Sequence, residues 1–431
     1  MSELKHVKRL SSVRSNAGVK FLTPAAFPGN HCPMHTALAI SSNINGMSTL
    51  VVGTAECGIY SRKVVEHASG KEGVYHWMYI LDAHEVVFGC REGLIGAIRE
   101  MDQTGTKAIM LVLTCVPEVI GEDIEGIVRE IQPEVKAQLS FVLMGHFKCN
   151  SYPSGYWKTL AAFGELVEQA ETCPDIVNIL GRSPREEHVP EPELLQALKE
   201  RGFRLRMLAP KSDIADFIDA GDARLNLVLS PYMNPLAELM KRRCGVPYIS
   251  LHETYDVPGI DRLYADVAEA LDIQWNDEFE AARKEAASLH ERARQVFQGI
   301  SYIATHQNAL TPLPLALYLA ELHMKPLLLH VEEFYPDDRK WAKALKGVGE
   351  DPLICHMVNE EADAKVLERM NPALSFGEIP GGTGAIPCIS HLYELYGRIG
   401  YERTCLLINR MLETWQQAQR MRIGRNIYGT V

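Results

Sequence analysis

Short apolar runs alternate along this chain with longer stretches in which apolar residues recur every three or four positions. The first pattern predicts buried strands and the second predicts amphipathic helices. In a first block, from about residue 20 to 170, Thr49–Val52, Tyr75–Ile80, Ala108–Thr114 and Leu139–Met144 read as strands. Cys90–Met101 and Gly121–Ile131 read as helices between them. A second block, about 175 to 295, repeats the rhythm. Its strands are Ile176–Gly181, Arg204–Leu208, Leu225–Leu229 and Tyr248–Leu251, and its helices Glu191–Arg201, Ser212–Ala220, Pro235–Arg243 and Gly259–Leu271. The charged stretch Asp277–Gln298 reads as a helical connector. A third block has strands Ser301–Thr305, Pro326–His330, Leu353–Met357 and Leu374–Ile379, with helices Pro312–His323, Pro336–Leu345 and Glu360–Met370. A Gly/Pro-rich segment, Pro380–Pro387, follows, and a long helix, about Gly400–Arg420, ends the chain. Strand alternating with helix predicts an α/β protein with doubly wound parallel sheets. The expected domains are 1–170, with the helix of 400–431 packing back, then 171–295 and 296–399.

Composition narrows the class. The chain has 431 residues, too many for one ordinary domain. With 46% hydrophobic and 23% charged residues it is built for large cores. A formal net charge of -11 argues against a nucleic-acid partner. The polar start, Met1-Ser2-Glu3-Leu4-Lys5-His6, lacks the apolar core of a secretion signal, and no apolar stretch is long enough to span a membrane. The expected location is the cytoplasm, with no membrane partner. Ten cysteines in such a chain point to metal ligation or buried thiols rather than to a disulfide framework.

Three of those cysteines stand in turn-like settings. Cys32 lies in Asn30-His31-Cys32-Pro33, and Cys57 lies in Gly53-Thr54-Ala55-Glu56-Cys57-Gly58, after a strand. Cys115 follows the strand Ala108–Thr114 and leads into Val116-Pro117-Glu118-Val119-Ile120-Gly121-Glu122-Asp123. A residue just past a strand sits at the carboxyl edge of its sheet, where open α/β folds bind ligands. Three thiolates there suit a soft metal, iron–sulfur foremost, and they are too widely spaced in sequence for a zinc knuckle. The plainer alternative is three buried, inert thiols.

These segments carry a resemblance. His31-Cys32-Pro33, Gly53–Gly58 and Thr114–Ile124, with Val86-Val87-Phe88-Gly89 between the second and third, resemble the cluster-binding signature of nitrogenase component 1 subunits and their nitrogenase-like relatives. The resemblance implies three Rossmann-like domains, with Cys32, Cys57 and Cys115 as ligands of an Fe–S cluster. That cluster, 8Fe-7S (P-cluster-like) or 4Fe-4S, would be shared with a partner subunit and would relay electrons. The implied partners are a homologous catalytic α-type subunit in an α2β2 assembly and a homodimeric, ATP-hydrolysing 4Fe-4S iron protein. Catalytic relatives hold their cofactor through a Cys past a middle-domain strand, whereas here the strand Leu225–Leu229 ends in Ser230-Pro231-Tyr232. The chain therefore reads as the β-type, non-catalytic subunit. The preferred substrate class is C–S cleavage of methylthio-alkanes rather than dinitrogen. A tetrapyrrole reductase subunit and a cofactor-assembly scaffold are the runners-up, and a non-redox metal-binding α/β protein is the alternative of another class.

Other candidates are weaker. Cys388 and His391, past the Gly/Pro-rich segment, are able to ligate a metal together, or they mark a helix start with one buried thiol and one surface imidazole. Cys149, in His146–Asn150, reads as an extra ligand or a buried thiol. Cys90 starts a helix, whose N-terminus favours negative charge, or simply packs. His306 ends a strand and is either cavity-lining or a loop residue. Gly381-Gly382-Thr383-Gly384 lacks the Lys-Ser/Thr of a P-loop, so ATP binding is not expected here. Cys173, Cys244, Cys355 and Cys405 read as packing residues.

Overall fold

A computed structural model describes residues 7–14, 32–65, 73–145, 152–183, 189–305, 311–331, 334, 338–355, 370–379, 386–390, 395 and 397–428. It contains three sheets. The first orders its strands β3-β2-β4-β5, from Met47–Gly53 (β2), His76–Ile80 (β3), Ala108–Leu113 (β4) and Gln138–Leu143 (β5). All its pairings are parallel. The second orders β7-β6-β8-β9, again all parallel, from Cys173–Leu180 (β6), Arg204–Leu208 (β7), Ala223–Val228 (β8) and Tyr248–Ser250 (β9). The third is six-stranded, β1-β12-β11-β10-β13-β14. Its members are Val7–Arg9 (β1), Ser301–Ala304 (β10), Lys325–His330 (β11), Leu353–Cys355 (β12), Leu374–Phe376 (β13) and Cys388–Ile389 (β14). In each sheet the earliest parallel strand is central and the chain winds outward both ways, the doubly wound pattern expected of strands buried on both faces.

The chain divides into two compact units, Gly29–Glu187 with Lys199–Ser250, and Met1–Pro28 with His188–Leu198 and Leu251–Val431. The first unit holds the first two sheets and the other holds the third. The central strand β4 shows how the first sheet is buried. Ile109, Leu111 and Leu113 pack on one face with Leu94, Ile98, Ile127 and Ile131. Met110 and Val112 pack on the other with Met34, Leu38, Leu160 and Phe163. That period of two is the pleat of a strand covered on both sides.

The ends of the chain depart from the sequence layout. Val7–Arg9 pairs antiparallel with β12 and so extends the third sheet. Its three residues, two of them basic, carry no apolar alternation from which a strand could be read. The terminal helix, Gly400–Tyr428, packs on the helix Glu280–Phe297 within the same unit as that sheet. Leu407, Ile408 and Met411 join its core. The buried Arg403 donates to the carbonyls of His252 (2.7 Å) and Thr254 (2.5 Å) and lies 4.1 Å over the Tyr255 ring. Among the described residues no helix is long and apolar enough to cross a membrane.

Candidate functional site

The three cysteines converge on the carboxyl edge of the first sheet. Cys32 immediately precedes the helix Pro33–Ser41, whose first-position proline cannot lengthen the helix backwards. Cys57 lies in the first turn of Ala55–Val65, the helix that follows β2, and Cys115 opens Cys115–Ile120, the helix that follows β4. The turn-like settings read from the sequence are thus helix starts. β2 and β4 are paired neighbours, Val52 opposite Leu113, so their following helices begin side by side.

A close lock holds the two strand ends. Thr114 donates its Oγ1 proton to the Val52 carbonyl at 2.9 Å, and its backbone N–H donates to the same oxygen at 3.0 Å. Gly53 fits against this threonine. A Cβ there would stand 2.1 Å from Thr114 Oγ1 and 3.2 Å from Cys57 Sγ. Thr54 Oγ1 lies 3.8 Å from Cys57 Sγ.

Electrostatics record the convergence. Burial pushes the Cys32 thiol above its usual range, the Met34 backbone N–H pulls it back, and charge on Cys115 and then Cys57 pushes it up further. Cys32 thus lies close enough to feel both other cysteines, and three thiols at one edge are a donor set that suits an iron–sulfur cluster. Among the described residues no three His, Cys, Asp or Glu side chains close tightly enough for a single metal ion. A polynuclear core sets its thiolates on different irons and needs wider spacing than a mononuclear centre.

The acidic string after Cys115 has a wiring role that the sequence did not disclose. Glu118 Oε2 accepts the Gly145 N–H at 2.7 Å, tying the end of β5 to this helix. Glu122 Oε2 accepts the Cys90 N–H at 2.6 Å, beside Gly89 with its φ of +92°. Asp123 accepts from Gly126 N at 3.0 Å and caps Ile124–Ile131. Its spacing from Gly126 is a readable capping signal, whereas the targets of Glu118 and Glu122 are distant in sequence.

The remaining candidates separate from this edge or fall outside it. Cys90 is buried against Leu94 and Ile98, and its thiol is pushed up to about 12 by burial and by Glu122. Cys388 lies in β14 rather than at a helix start, with its thiol pushed up to about 11 by burial and then by Glu378. Cys149, His391, His306 and 381–384 lie outside the described residues. Cys355 and Cys405 are buried, and Cys173 and Cys244 pack on Ile176, Ala223 and Val246.

Large apolar side chains are exposed around the cysteines. Ile59 and Tyr60 follow Cys57 on its helix, Ile80 ends β3 opposite Gly53, and Val87, Phe88 and Val119 stand on the packed helices Glu85–Phe88 and Cys115–Ile120. Each is more than half exposed, with Phe88 at 74%. A soluble surface seldom gathers so many large apolar side chains around one site unless something covers them.

Doubly wound sheets with thiols gathered at a helix-lined edge define a thiol-bearing α/β protein. The family model for nitrogenase component 1 type oxidoreductases matches residues 32–416, and the chain belongs to that family. It is similar to the β chain of the nitrogenase molybdenum-iron protein of Methanothermobacter thermautotrophicus, with 22% identity over 366 residues, 75% of this chain and 78% of that one. It is also similar to one of the subunits of the light-independent protochlorophyllide reductase of Nostoc sp., 24% identical over 189 residues, 40% of this chain and 37% of that one. A solved structure of nitrogenase Cp1 at pH 6.5 superposes with a TM-score of 0.68 at 17% identity, over 92% of this chain and 94% of that chain. The same protein at pH 5 gives 0.61 at 17% identity, over 97% and 95%. At these identities the superpositions speak for the fold alone. The family typically binds Fe–S clusters, and membership makes the chain an oxidoreductase subunit.

Proposed function

We propose that this chain is the β-type subunit of a nitrogenase-like reductase, with Cys32, Cys57 and Cys115 ligating an Fe–S cluster shared with a homologous α-type subunit in an α2β2 assembly. The observation that carries the reading is the gathering of three thiols at one sheet edge, beside exposed apolar side chains. When bound, the cluster (8Fe-7S or 4Fe-4S) supplies one-electron relay from an ATP-hydrolysing iron protein. The chain's own residues do the holding. The Gly53–Thr114 lock fixes the spacing of Cys57 and Cys115, Pro33 fixes where the Cys32 helix begins, and Ile59, Ile80, Val87, Phe88 and Val119 exclude water once a partner covers them.

Ser230 stands where catalytic relatives carry a cofactor cysteine, which favours an auxiliary rather than a catalytic role. The substrate class we favour is not dinitrogen but the C–S bond of methylthio-alkanes. A second reading, reduction of a tetrapyrrole, is favoured by the 189-residue likeness to the protochlorophyllide reductase chain. The cytoplasm is the proposed location. The test is anaerobic co-purification with a homologous partner encoded beside it, followed by EPR of the wild-type and Cys115→Ala complexes. A reductant-dependent cluster signal that vanishes in the variant supports the reading. A metal-free monomer contradicts it. Turnover of the purified complex with the iron protein on methylthio-alkanes and on protochlorophyllide separates the two substrate readings.

A further inference from the structure

We propose, resting on the partner reading above, that the open edge of the first sheet along β3 takes an extended segment of the partner subunit as an added strand. β3 is the terminal strand of its sheet, and among the described residues no strand pairs with its outer edge. A parallel ladder turns alternate residues toward each neighbour. The Tyr75 carbonyl accepts from the Thr49 N–H and the Leu81 N–H donates to the Gly53 carbonyl, both at 2.9 Å, so the odd-numbered residues face β2. The N–H and C=O groups of His76, Met78 and Ile80 therefore point outward, a row that an added strand matches bond for bond.

This edge lies in a groove of about 840 Å³. One wall is the helix Ala55–Val65, through Ala55, Gly58, Arg62 and Val65. The other is the helix Arg91–Asp102, through Gly93, Gly96, Ala97 and Glu100. Each set recurs at helical spacing and so forms one face. A strand of five residues takes up about 800 Å³ at the usual rise, strand spacing and layer spacing, so the groove has room for one strand. The two glycines of the second wall differ in what requires them. A Cβ on Gly93 would collide with the Tyr79 hydroxyl, whereas one on Gly96 would meet nothing within 4 Å. Glycine inside a helix is destabilising. At Gly96 no contact among the described residues asks for it, and an occupant of the groove does.

Two observations choose the occupant. The groove includes Ile59 and Ile80, which also belong to the exposed apolar rim beside Cys57, so a partner seated on the rim reaches the groove without a break. Arg62 on one wall and Glu100 on the other carry opposite charges. A second copy of this chain, pairing edge to edge across a two-fold axis normal to the sheet, would bring like walls together, Arg62 beside Arg62 and Glu100 beside Glu100. A single foreign strand alternates its side chains between the two faces and offers an acid to Arg62 and a base to Glu100.

The test is residue-resolved hydrogen–deuterium exchange of the full chain alone and of the co-purified complex, with wild type and Gly96→Leu compared. In the chain alone, the amides of His76, Met78 and Ile80 should exchange fast while those of Trp77 and Tyr79 stay protected. In the complex all of them should be protected. Gly96→Leu fills the groove from a helix position with open space around it, so it should raise the melting temperature of the chain alone. It should also weaken association about 10-fold or more and strip the protection from the three outward amides. A complex that holds its cluster yet leaves those amides unprotected overturns the proposal and leaves the partner reading standing. Absence of any complex overturns both. Slow exchange at the three amides in the chain alone would mean that its own segment fills the groove, and it overturns the proposal, as does wild-type affinity in Gly96→Leu.

Discussion

The first and second sheets share one topology and differ in what stands at their carboxyl edges. In the first, the residues at the helix starts are thiols, and the rim around them is exposed and apolar. In the second, the corresponding positions hold Ser230 and Arg182, both buried. Both edges rely on a strand-end glycine, Gly53 against Thr114 and Gly181 against Ser230. The contrast teaches that a doubly wound sheet supplies a place and a close backbone approach, while the two or three residues after each strand decide the chemistry. Thiols with an apolar surround suit a metal cluster, whereas a serine and an arginine are not soft-metal donors.

The glycines give the largest expected effects. Gly181→Ala should destabilise the unit by about 3 kcal/mol, since it adds a strained left-handed residue and a clash with backbone. Chemical denaturation measures this, and a cost below that of an ordinary surface substitution would break the parallel between the edges. Gly53→Ala should cost about 1–3 kcal/mol, because its Cβ clashes with the buried Thr114 side chain and not with backbone. In a Thr114→Ala background, which itself forfeits one hydrogen bond worth about 1 kcal/mol, the same change should cost clearly less. Equal cost in both backgrounds would mean that the threonine does not set the spacing.

A pH effect near neutrality should come from the unit that holds the third sheet. Glu321 is pushed up to about 7 by burial and by the nearby Asp256 carboxylate. The folded state therefore holds its proton more tightly than the unfolded chain does. Its contribution is fully present below the ordinary glutamate range and is lost as pH rises through about 7. Glu321→Gln should leave the melting temperature unchanged at pH 4 and raise it at pH 8. A pH-independent difference would remove Glu321 as the cause. The smallest effect on folding is expected at the rim. Val87→Glu and Phe88→Glu, at 70% and 74% exposure, should change monomer stability by less than about 0.5 kcal/mol. Both should abolish co-purification with the partner. Loss of monomer stability instead would make the rim part of the core.

Much of this was legible in the residues. Ala108–Leu113 is apolar on both pleat faces, and the structure buries it fully. The cysteines were legible because each follows or precedes a chain break marked by Gly, Pro or Thr. What escaped reading was long-range. Val7–Arg9 is a strand only because β12 offers an open edge. Cys388 joins a strand of two residues through its pairing with Ser375, a contact no local pattern encodes. The partners of Glu118 and Glu122 lie 27 and 32 residues away, so their role needed the fold. Ser230 departs from the cysteine of catalytic relatives in the sequence itself, whereas the burial of its hydroxyl without a partner depends on neighbours that only the fold supplies.

The most direct measurement is iron and sulfide content of the anaerobically purified complex, for Cys32→Ala, Cys57→Ala and Cys115→Ala beside Cys90→Ala. Cys90 is the internal control, a thiol close in sequence but packed in the apolar core. Each of the first three variants should lose most of its iron and sulfide, while Cys90→Ala keeps the wild-type amount. Equal retention in all four, or a loss confined to Cys90→Ala, would contradict the three-cysteine assignment.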